Sequence, residues 1–143
     1  MLGSHLTSLL YTHVIATSIM VGLIWFVQLV HYPSFHYIDR DRYSSFHSFH
    51  TKSISKIVVP VMLLESVTAM LLLYGLQTIE ALLSISFVIL IIIWIVTGIF
   101  FTRTHRILLM GYNKNIINRM VGLNWIRTIL WSIRLVFLFI FLQ

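Results

Sequence analysis

Four long apolar segments divide the chain. They cover residues 6–30, 54–74, 81–101 and 121–142, and only a few polar side chains interrupt them. A helix of about 20 residues crosses the hydrocarbon core of a bilayer, and backbone groups inside lipid must find their hydrogen bonds within the helix. The pattern therefore predicts an all-α fold, a four-transmembrane-helix bundle that forms one integral membrane domain over residues 1–143.

The segment before the second apolar run has a different pattern. Its less polar side chains recur at three- and four-residue spacing, which places Tyr43, Phe46, His47, His50 and Ile54 on one face of a helix. We therefore expect an amphipathic cytoplasmic helix between helices 1 and 2, lying on the membrane surface and running into helix 2.

Two prolines and one short connection constrain how the helices meet. Pro33 is expected to end the first helix just after His31, and Pro60 to kink the second helix by removing a backbone donor. The connection between Gly75 and Glu80 is short, so we expect helices 2 and 3 to be antiparallel neighbours.

Composition agrees with a membrane setting and narrows the chemistry. The chain is 59% hydrophobic and 10% charged, which excludes a conventional soluble domain with a solvated surface. It has no cysteine, so disulfides, thiolate ligands and thiol nucleophiles are excluded. Any metal must be held by nitrogen and oxygen ligands.

The net charge of +6 comes from residues on one side of the predicted bundle. Basic side chains cluster in or beside the first and third connections, namely Arg40, Arg42, Lys52, Lys56, Arg103, Arg106, Lys114 and Arg119. The second connection has none. By the positive-inside rule, the first and third connections lie in the cytoplasm and both termini lie outside the bacterial inner membrane. The lipid bilayer is the expected partner of these basic loops, and no nucleic-acid motif is present.

Ionisable residues inside the apolar segments are candidates for function, because an unpaired charge in lipid is costly. Glu65 lies about 16 Å along the second helix, and Arg127 and Arg134 lie about 9 and 20 Å along the fourth. Asn124, Arg127, Trp131 and Arg134 form one stripe, which we expect to face Glu65. Two interpretations remain open: a structural ion pair, or a catalytic centre of Glu65, Arg127, Arg134 and Asn124 with Glu65 as proton acceptor or ligand.

Histidines collect where the first apolar run ends. His31, His36, His47 and His50 lie in the first connection, and His105 follows the third helix. We expect His31, His47 and His50 to converge at the cytoplasmic mouth of the bundle as a metal site, with binding of haem or a divalent metal both open. The alternative is a polar rim in which His31 and His47 hydrogen-bond to each other and the other histidines face water.

A further histidine lies far from this group. His13 and His31 share a face of the first helix but are about 27 Å apart, so they cannot serve one centre. A haem near the outer end would use His13 with one weak partner or none. The candidate cofactor-binding residues are therefore His13, His31 and Trp131, as alternatives rather than as one set.

Three motifs, "QLVHYPSF", "FHSFHTKSISKIVVPVMLLE" and "NWIRTILWSIR", resemble a family of small uncharacterised bacterial four-helix membrane proteins. The resemblance covers most of the chain and implies a shared importance for the positions that match it. These are His31, Tyr32, Pro33, His50, Pro60, Met62, Glu65, Asn124, Trp125, Arg127, Thr128, Trp131 and Arg134. It implies no activity.

A second likeness involves the first helix only. The stretch "HVIATSIMVGLIWFVQLVHYP" is similar to the first helix of the bacterial haem-binding membrane protoporphyrinogen oxidase, although it lacks the basic residues expected near its end. The likeness implies His13 as an axial haem ligand.

Two functional classes follow from these patterns. The first is an inner-membrane, haem- or metal-linked oxidoreductase acting on a small-molecule substrate, which should show a flat apolar slot or a closed ligand cluster. The second is a small transporter, working as a homo-oligomer, or a non-enzymatic membrane-complex subunit that uses the Glu65–arginine pair. A transporter should show a water-accessible groove that reaches Glu65.

Overall fold

The computed structural model describes residues 3–76 and 80–143, and every regular element among them is helical. Four helices, α1 to α4, span Ser4–Tyr37, Tyr43–Gly75, Ala81–Leu108 and Lys114–Phe141. Each is long and apolar enough to cross a membrane, as a multi-pass membrane protein requires. The predicted all-α fold with four long apolar helices is therefore confirmed.

The helices extend beyond the apolar runs at one end of the bundle. This end, where α1 joins α2 and α3 joins α4, is called the connection end below. The segment predicted as an amphipathic helix running into helix 2 forms the first turns of α2, and its position on the membrane surface stays a prediction. Its buried face, which carries Tyr43, His47 and His50, packs against α1 and α3. This packing explains why the helix begins well before the apolar run.

The prediction that Pro33 ends the first helix is wrong. A π-helical turn at Val27–His31 precedes the proline, and the chain remains helical to Tyr37. Pro33 lies at the start of the resumed α-helical turn, where a residue needs no backbone donor. α2 is helical on both sides of Pro60, and the predicted kink there stays a prediction.

The four helices do not pack equally closely. α1 lies along both α2 and α4, and α3 packs mainly on α4. α2 and α3 are neighbours, as predicted, but they touch at few points, one being the hydrogen bond from Trp94 Nε1 to Ser66 Oγ at 2.9 Å. Part of their predicted short connection, residues 77–79, lies outside the described residues. The loose contact leaves a groove between α2 and α3.

The connection between α3 and α4 is a tight turn closed by a helix cap. Gly111 has φ of 143°, a conformation that favours glycine. The Asn113 side chain then accepts a hydrogen bond from the backbone N–H of Ile116 at 3.1 Å, which satisfies a free donor at the start of α4.

Candidate functional site

Four histidines from three helices meet at the connection end. His31 comes from α1, His47 and His50 from α2, and His105 from α3; we call them the histidine cluster. His31 Nε2 lies 2.7 Å from His50 Nδ1, and His47 Nε2 lies 3.1 Å from His105 Nδ1. Three of the four were predicted to converge, and His105 completes the group because α3 continues past its apolar run.

The cluster is compact and largely closed to solvent. Ring centroids are 4.6 Å apart for His31 and His50, 5.7 Å for His47 and His50, and 5.1 Å for His47 and His105. The side chains of His47 and His50 are buried. Two buried ring nitrogens, His47 Nδ1 and His50 Nε2, have no hydrogen-bond partner. Buried polar atoms normally have partners, so these two indicate an unfilled bonding capacity.

Aromatic rings enclose the histidine cluster. Phe35 presents its ring at about a right angle to His47 and His50, at centroid distances of 5.6 and 5.0 Å. Tyr43 stacks on His47 at 5.8 Å. These rings pack directly against the imidazoles of His47 and His50, and burial of this kind strengthens electrostatic interactions inside the cluster.

The imidazoles are held in hydrogen-bonded pairs rather than around a common centre. Among residues 3–76 and 80–143, no three His, Cys, Asp or Glu side chains are arranged as a ready-made metal site. Two ligand nitrogens on one tetrahedral zinc ion lie about 3.3 Å apart at the usual metal–nitrogen distances, and those of His31 and His50 are closer. Metal binding by the cluster would therefore require the rings to rotate and exchange their mutual hydrogen bonds for metal bonds.

His36 lies outside this group. Its Nδ1 atom is 3.5 Å from the Tyr112 hydroxyl. It provides a natural comparison for the cluster histidines, because it is located at the same end of the bundle.

A buried ion pair lies deeper in the bundle. Arg134 Nη1 donates to Glu65 Oε1 at 2.6 Å, and both side chains are 0% exposed. The carboxylate also accepts from the Thr17 hydroxyl at 2.8 Å and from Trp131 Nε1 at 3.2 Å. The two carboxylate oxygens thus accept hydrogen bonds from three donors on two other helices. These bonds satisfy the hydrogen-bonding capacity of the buried carboxylate.

His13 belongs to this buried network. The Thr68 hydroxyl donates to the Leu64 carbonyl at 2.7 Å, so it is free to accept from His13 Nδ1 at 2.8 Å. With the proton on Nδ1, His13 Nε2 can accept from Arg134 Nη2 at 3.4 Å. Both ring nitrogens are therefore engaged.

The space beside His13 is too small for a porphyrin. The adjoining cavity has a volume of about 10 Å³ and is lined by His13, Ser86 and apolar side chains. The Nε atom of Arg134 donates to the carbonyl of Ser86, one of the lining residues, at 3.2 Å. In this arrangement His13 and Trp131 are parts of the ion-pair network.

Arg127 is not part of the ion pair, although the stripe that carries it faces Glu65 through Trp131 and Arg134, as predicted. Its guanidinium lies over the Phe101 ring at 4.3 Å and near the Trp131 ring at 5.3 Å. Arg127 is 5% exposed, and its Nε atom has no hydrogen-bond partner. Two helical turns, about 10 Å, separate it from Arg134 along α4.

Asn124 lies about one turn before Arg127 on α4, and its side chain bonds to a residue other than Glu65. Its amide nitrogen donates to Gln28 Oε1 at 2.9 Å, and Gln28 Nε2 donates to the Val121 carbonyl at 3.3 Å. The stripe does face inward, as predicted, because Asn124, Arg127, Trp131 and Arg134 are all buried. Its members nevertheless make contacts at three different depths in the bundle. Asn124 bonds to Gln28, Arg127 lies on Phe101, and Trp131 and Arg134 bond to Glu65.

Sequence reasoning missed four polar residues that complete these contacts. A signal was present: a small polar side chain inside an apolar run, at helical spacing from an ionisable residue. Thr17 follows His13 by one turn, and Thr68 follows Glu65 by nearly one turn. Gln28 precedes His31 by nearly one turn, whereas Ser86 has no ionisable neighbour at this spacing on its own helix.

The groove between α2 and α3 has a volume of about 450 Å³ and is open along its outer side. Arg127 and His105 form part of its inner wall, whereas Glu65 is not among its lining residues. Comparison with known protein families, with curated proteins and with solved structures finds no match to this chain.

Proposed function

We propose that this chain is a multi-pass protein of the bacterial inner membrane that binds a transition-metal ion through the histidine cluster. The observation that carries the proposal is the pair of buried ring nitrogens, His47 Nδ1 and His50 Nε2, that lack partners among four clustered imidazoles. An unsatisfied buried polar atom costs about 1–3 kcal/mol. A bound cation would remove this cost at both nitrogens.

The ring separations support a mononuclear site. Imidazoles bound to one tetrahedral ion have centroids about 5 Å apart at the usual metal–nitrogen distances, and the measured separations are 4.6 to 5.7 Å. Only rotation of the rings is needed, because the backbone already brings them together. The rings contact one another directly, which favours an ion over a haem between them.

The ligand type limits the metals. Neutral imidazole suits zinc, copper, iron and nickel, and the chain has no cysteine to select a softer ion. With iron or copper bound, the site would support an oxidoreductase, and with zinc it would be structural or hydrolytic. The aromatic walls formed by Phe35 and Tyr43 would restrict water at the ion.

The proposed orientation places the histidine cluster at the cytoplasmic side. The basic residues flanking the first and third connections support this, since such residues mark cytoplasmic loops. Both termini would then be extracytoplasmic. The metal would exchange with the cytoplasm at the connection end.

Metal content measured on the full-length chain tests the proposal. Protein purified in detergent is incubated in turn with zinc, copper, iron and nickel, freed of excess metal, and analysed by mass spectrometry of the elements. We expect one ion per chain, and loss of most of that ion in His50→Ala and in His47→Ala. His36→Ala is the matched control, and circular dichroism and size-exclusion elution establish that each variant folds. Equal metal content in all four proteins would contradict the proposal.

A second candidate function, a non-enzymatic membrane-complex subunit, is favoured by the ion pair. Glu65 and Arg134 are completely buried and fully hydrogen-bonded, and the groove does not reach them. These features support a fixed pair that sets which helices are neighbours, rather than the gate of a transporter. A subunit of this kind would need no metal, so the same measurement distinguishes the two candidates.

A further inference from the structure

The groove between α2 and α3 has a polar half and an apolar half. Toward the connection end its walls carry Thr51, Ser55, His105 and Arg106. Toward the middle of the bundle the walls are apolar, with Val58, Met62 and Trp94. An amphiphilic molecule fits such a surface with its headgroup near the connection end and its chain beside the apolar half.

Arg127 is an uncompensated cation in the inner wall of this groove. The Glu65 carboxylate pairs with Arg134, and Arg127 contacts aromatic faces and the neighbouring Tyr32 hydroxyl instead. A buried guanidinium with an unpaired Nε atom calls for an anionic partner. No such partner is provided by the walls, because no Asp or Glu lines the groove.

A second polar atom in the groove is also unpaired. The Thr97 hydroxyl oxygen is buried, has no hydrogen-bond partner and belongs to a residue that lines the groove. Arg106, at the polar half, adds another positive charge. Two cations, a free hydroxyl and no carboxylate together favour an anion with several acceptor oxygens.

We propose that the groove binds a membrane lipid with a net negative phosphate headgroup, placed against Arg127 and Arg106, with an acyl chain between α2 and α3. The groove is open on its outer side, so a lipid can enter from the bilayer and its remaining chains can stay there. A volume of about 450 Å³ suits a headgroup and part of one chain. This inference does not depend on the metal, because Arg127 is outside the histidine cluster.

Quenching of Trp94 fluorescence by brominated lipid tests the proposal. Trp94 lines the groove, while Trp25 and Trp125 are exposed elsewhere and Trp131 is buried. The test protein is therefore the full chain with Trp25→Phe and Trp125→Phe. It is placed in phosphatidylcholine nanodiscs that contain increasing mole fractions of lipid brominated on its acyl chains, either phosphatidylglycerol or phosphatidylcholine.

We expect brominated phosphatidylglycerol to quench Trp94 at lower mole fractions than brominated phosphatidylcholine. The expected preference is about tenfold, in line with a charge-assisted contact. Arg127→Met should remove most of this preference, and Arg127→Lys should keep part of it. Arg119→Met is the matched control, because it removes an exposed arginine from the same helix and should leave the preference intact.

Three results would overturn the proposal. The first is equal quenching by the two brominated lipids. The second is an equal loss of preference in the Arg127→Met and Arg119→Met proteins, which would indicate a general charge effect. The third is displacement of the lipid by inorganic phosphate at physiological concentration, which would identify a free anion as the ligand. If Arg127→Met fails to fold, the Arg127→Lys and Arg119→Met comparison decides the question.

Discussion

The Nε2 atom of His31 lies 2.7 Å from the Nδ1 atom of His50, although 19 positions separate the two residues. In this hydrogen bond one imidazole donates and the other accepts, so the accepting ring nitrogen carries no proton. The same holds for His47 and His105. The accepting lone pair is used in the hydrogen bond, so the free lone pair of each neutral pair is on the other nitrogen of the donating ring. That nitrogen is His50 Nε2 or His47 Nδ1 when those residues donate, and a neutral imidazole of this kind binds metals.

Metal affinity should depend on pH. An imidazole must be neutral to bind a metal, so protons compete with the ion for the cluster nitrogens. We expect metal retention to fall as the pH is lowered through the acid range, because a protonated imidazole cannot bind the ion. Equilibrium dialysis at a series of pH values measures this. Retention that is unchanged across the range would show that the ion is held by other groups.

Breaking the buried ion pair on one side should destabilise the fold. Glu65→Gln leaves Arg134 without its carboxylate, and Arg134→Met leaves a buried carboxylate without its cation. Each change should cost about 3–5 kcal/mol, because a buried charge loses its partner. The free energy of unfolding, measured by denaturant titration in detergent micelles, tests the prediction.

The double variant of Glu65→Gln and Arg134→Met should be more stable than at least one of the single variants, since no unpaired charge remains. Arg103→Met, which removes an exposed arginine, is the control and should be close to the wild type. If both single variants have the same free energy of unfolding as the wild type, the ion pair is not structural.

The basic connections predict the orientation in the membrane. Reporter domains fused to either terminus should be active outside the cytoplasm, and reporters in the α1–α2 or α3–α4 connection should be active inside. Exchanging Lys114 and Arg119 for glutamine should weaken the preference for this orientation, because these basic residues flank the third connection. A cytoplasmic signal from the C-terminal fusion would contradict the predicted orientation.

The sequence predicted the coarse fold well because membrane helices are identified by length and apolarity alone. It predicted the shared face of His47 and His50 because both lie on one helix at three-residue spacing. It placed Glu65 near Arg134 because depth along a helix follows from counting residues. Each of these inferences needs only information local to one or two helices.

The remaining features depend on tertiary contacts that a single sequence does not contain. α1 continues past Pro33 because a π-helical turn precedes it, and no periodicity predicted that turn. His105 joins the histidine cluster because α3 extends beyond its apolar run to pack on α2. Residue counting could not show that Glu65 pairs with Arg134 and not with Arg127. Counting resolves depth to about one turn, whereas a salt bridge requires atoms within a few ångströms.

Removing a cluster imidazole should affect metal binding more than stability. Each of the two hydrogen-bonded pairs contributes about 1 kcal/mol as a neutral interaction, so His105→Ala should lower the free energy of unfolding only modestly and still lose the ion. His36→Ala should change neither. Parallel measurement of unfolding and metal content tests this. A large loss of stability with metal retained would assign His105 a structural role.

X-ray absorption at the edge of the bound metal tests the central claim most directly. The account predicts nitrogen ligands at about 2.0–2.1 Å for zinc, together with the outer-shell scattering that imidazole rings produce. The ion that remains in the His50→Ala protein should show one imidazole fewer, with an oxygen ligand in its place, while His36→Ala should give the wild-type spectrum. A spectrum that shows only oxygen ligands without imidazole scattering, or one that is identical in the His50→Ala protein, would contradict metal binding by the histidine cluster.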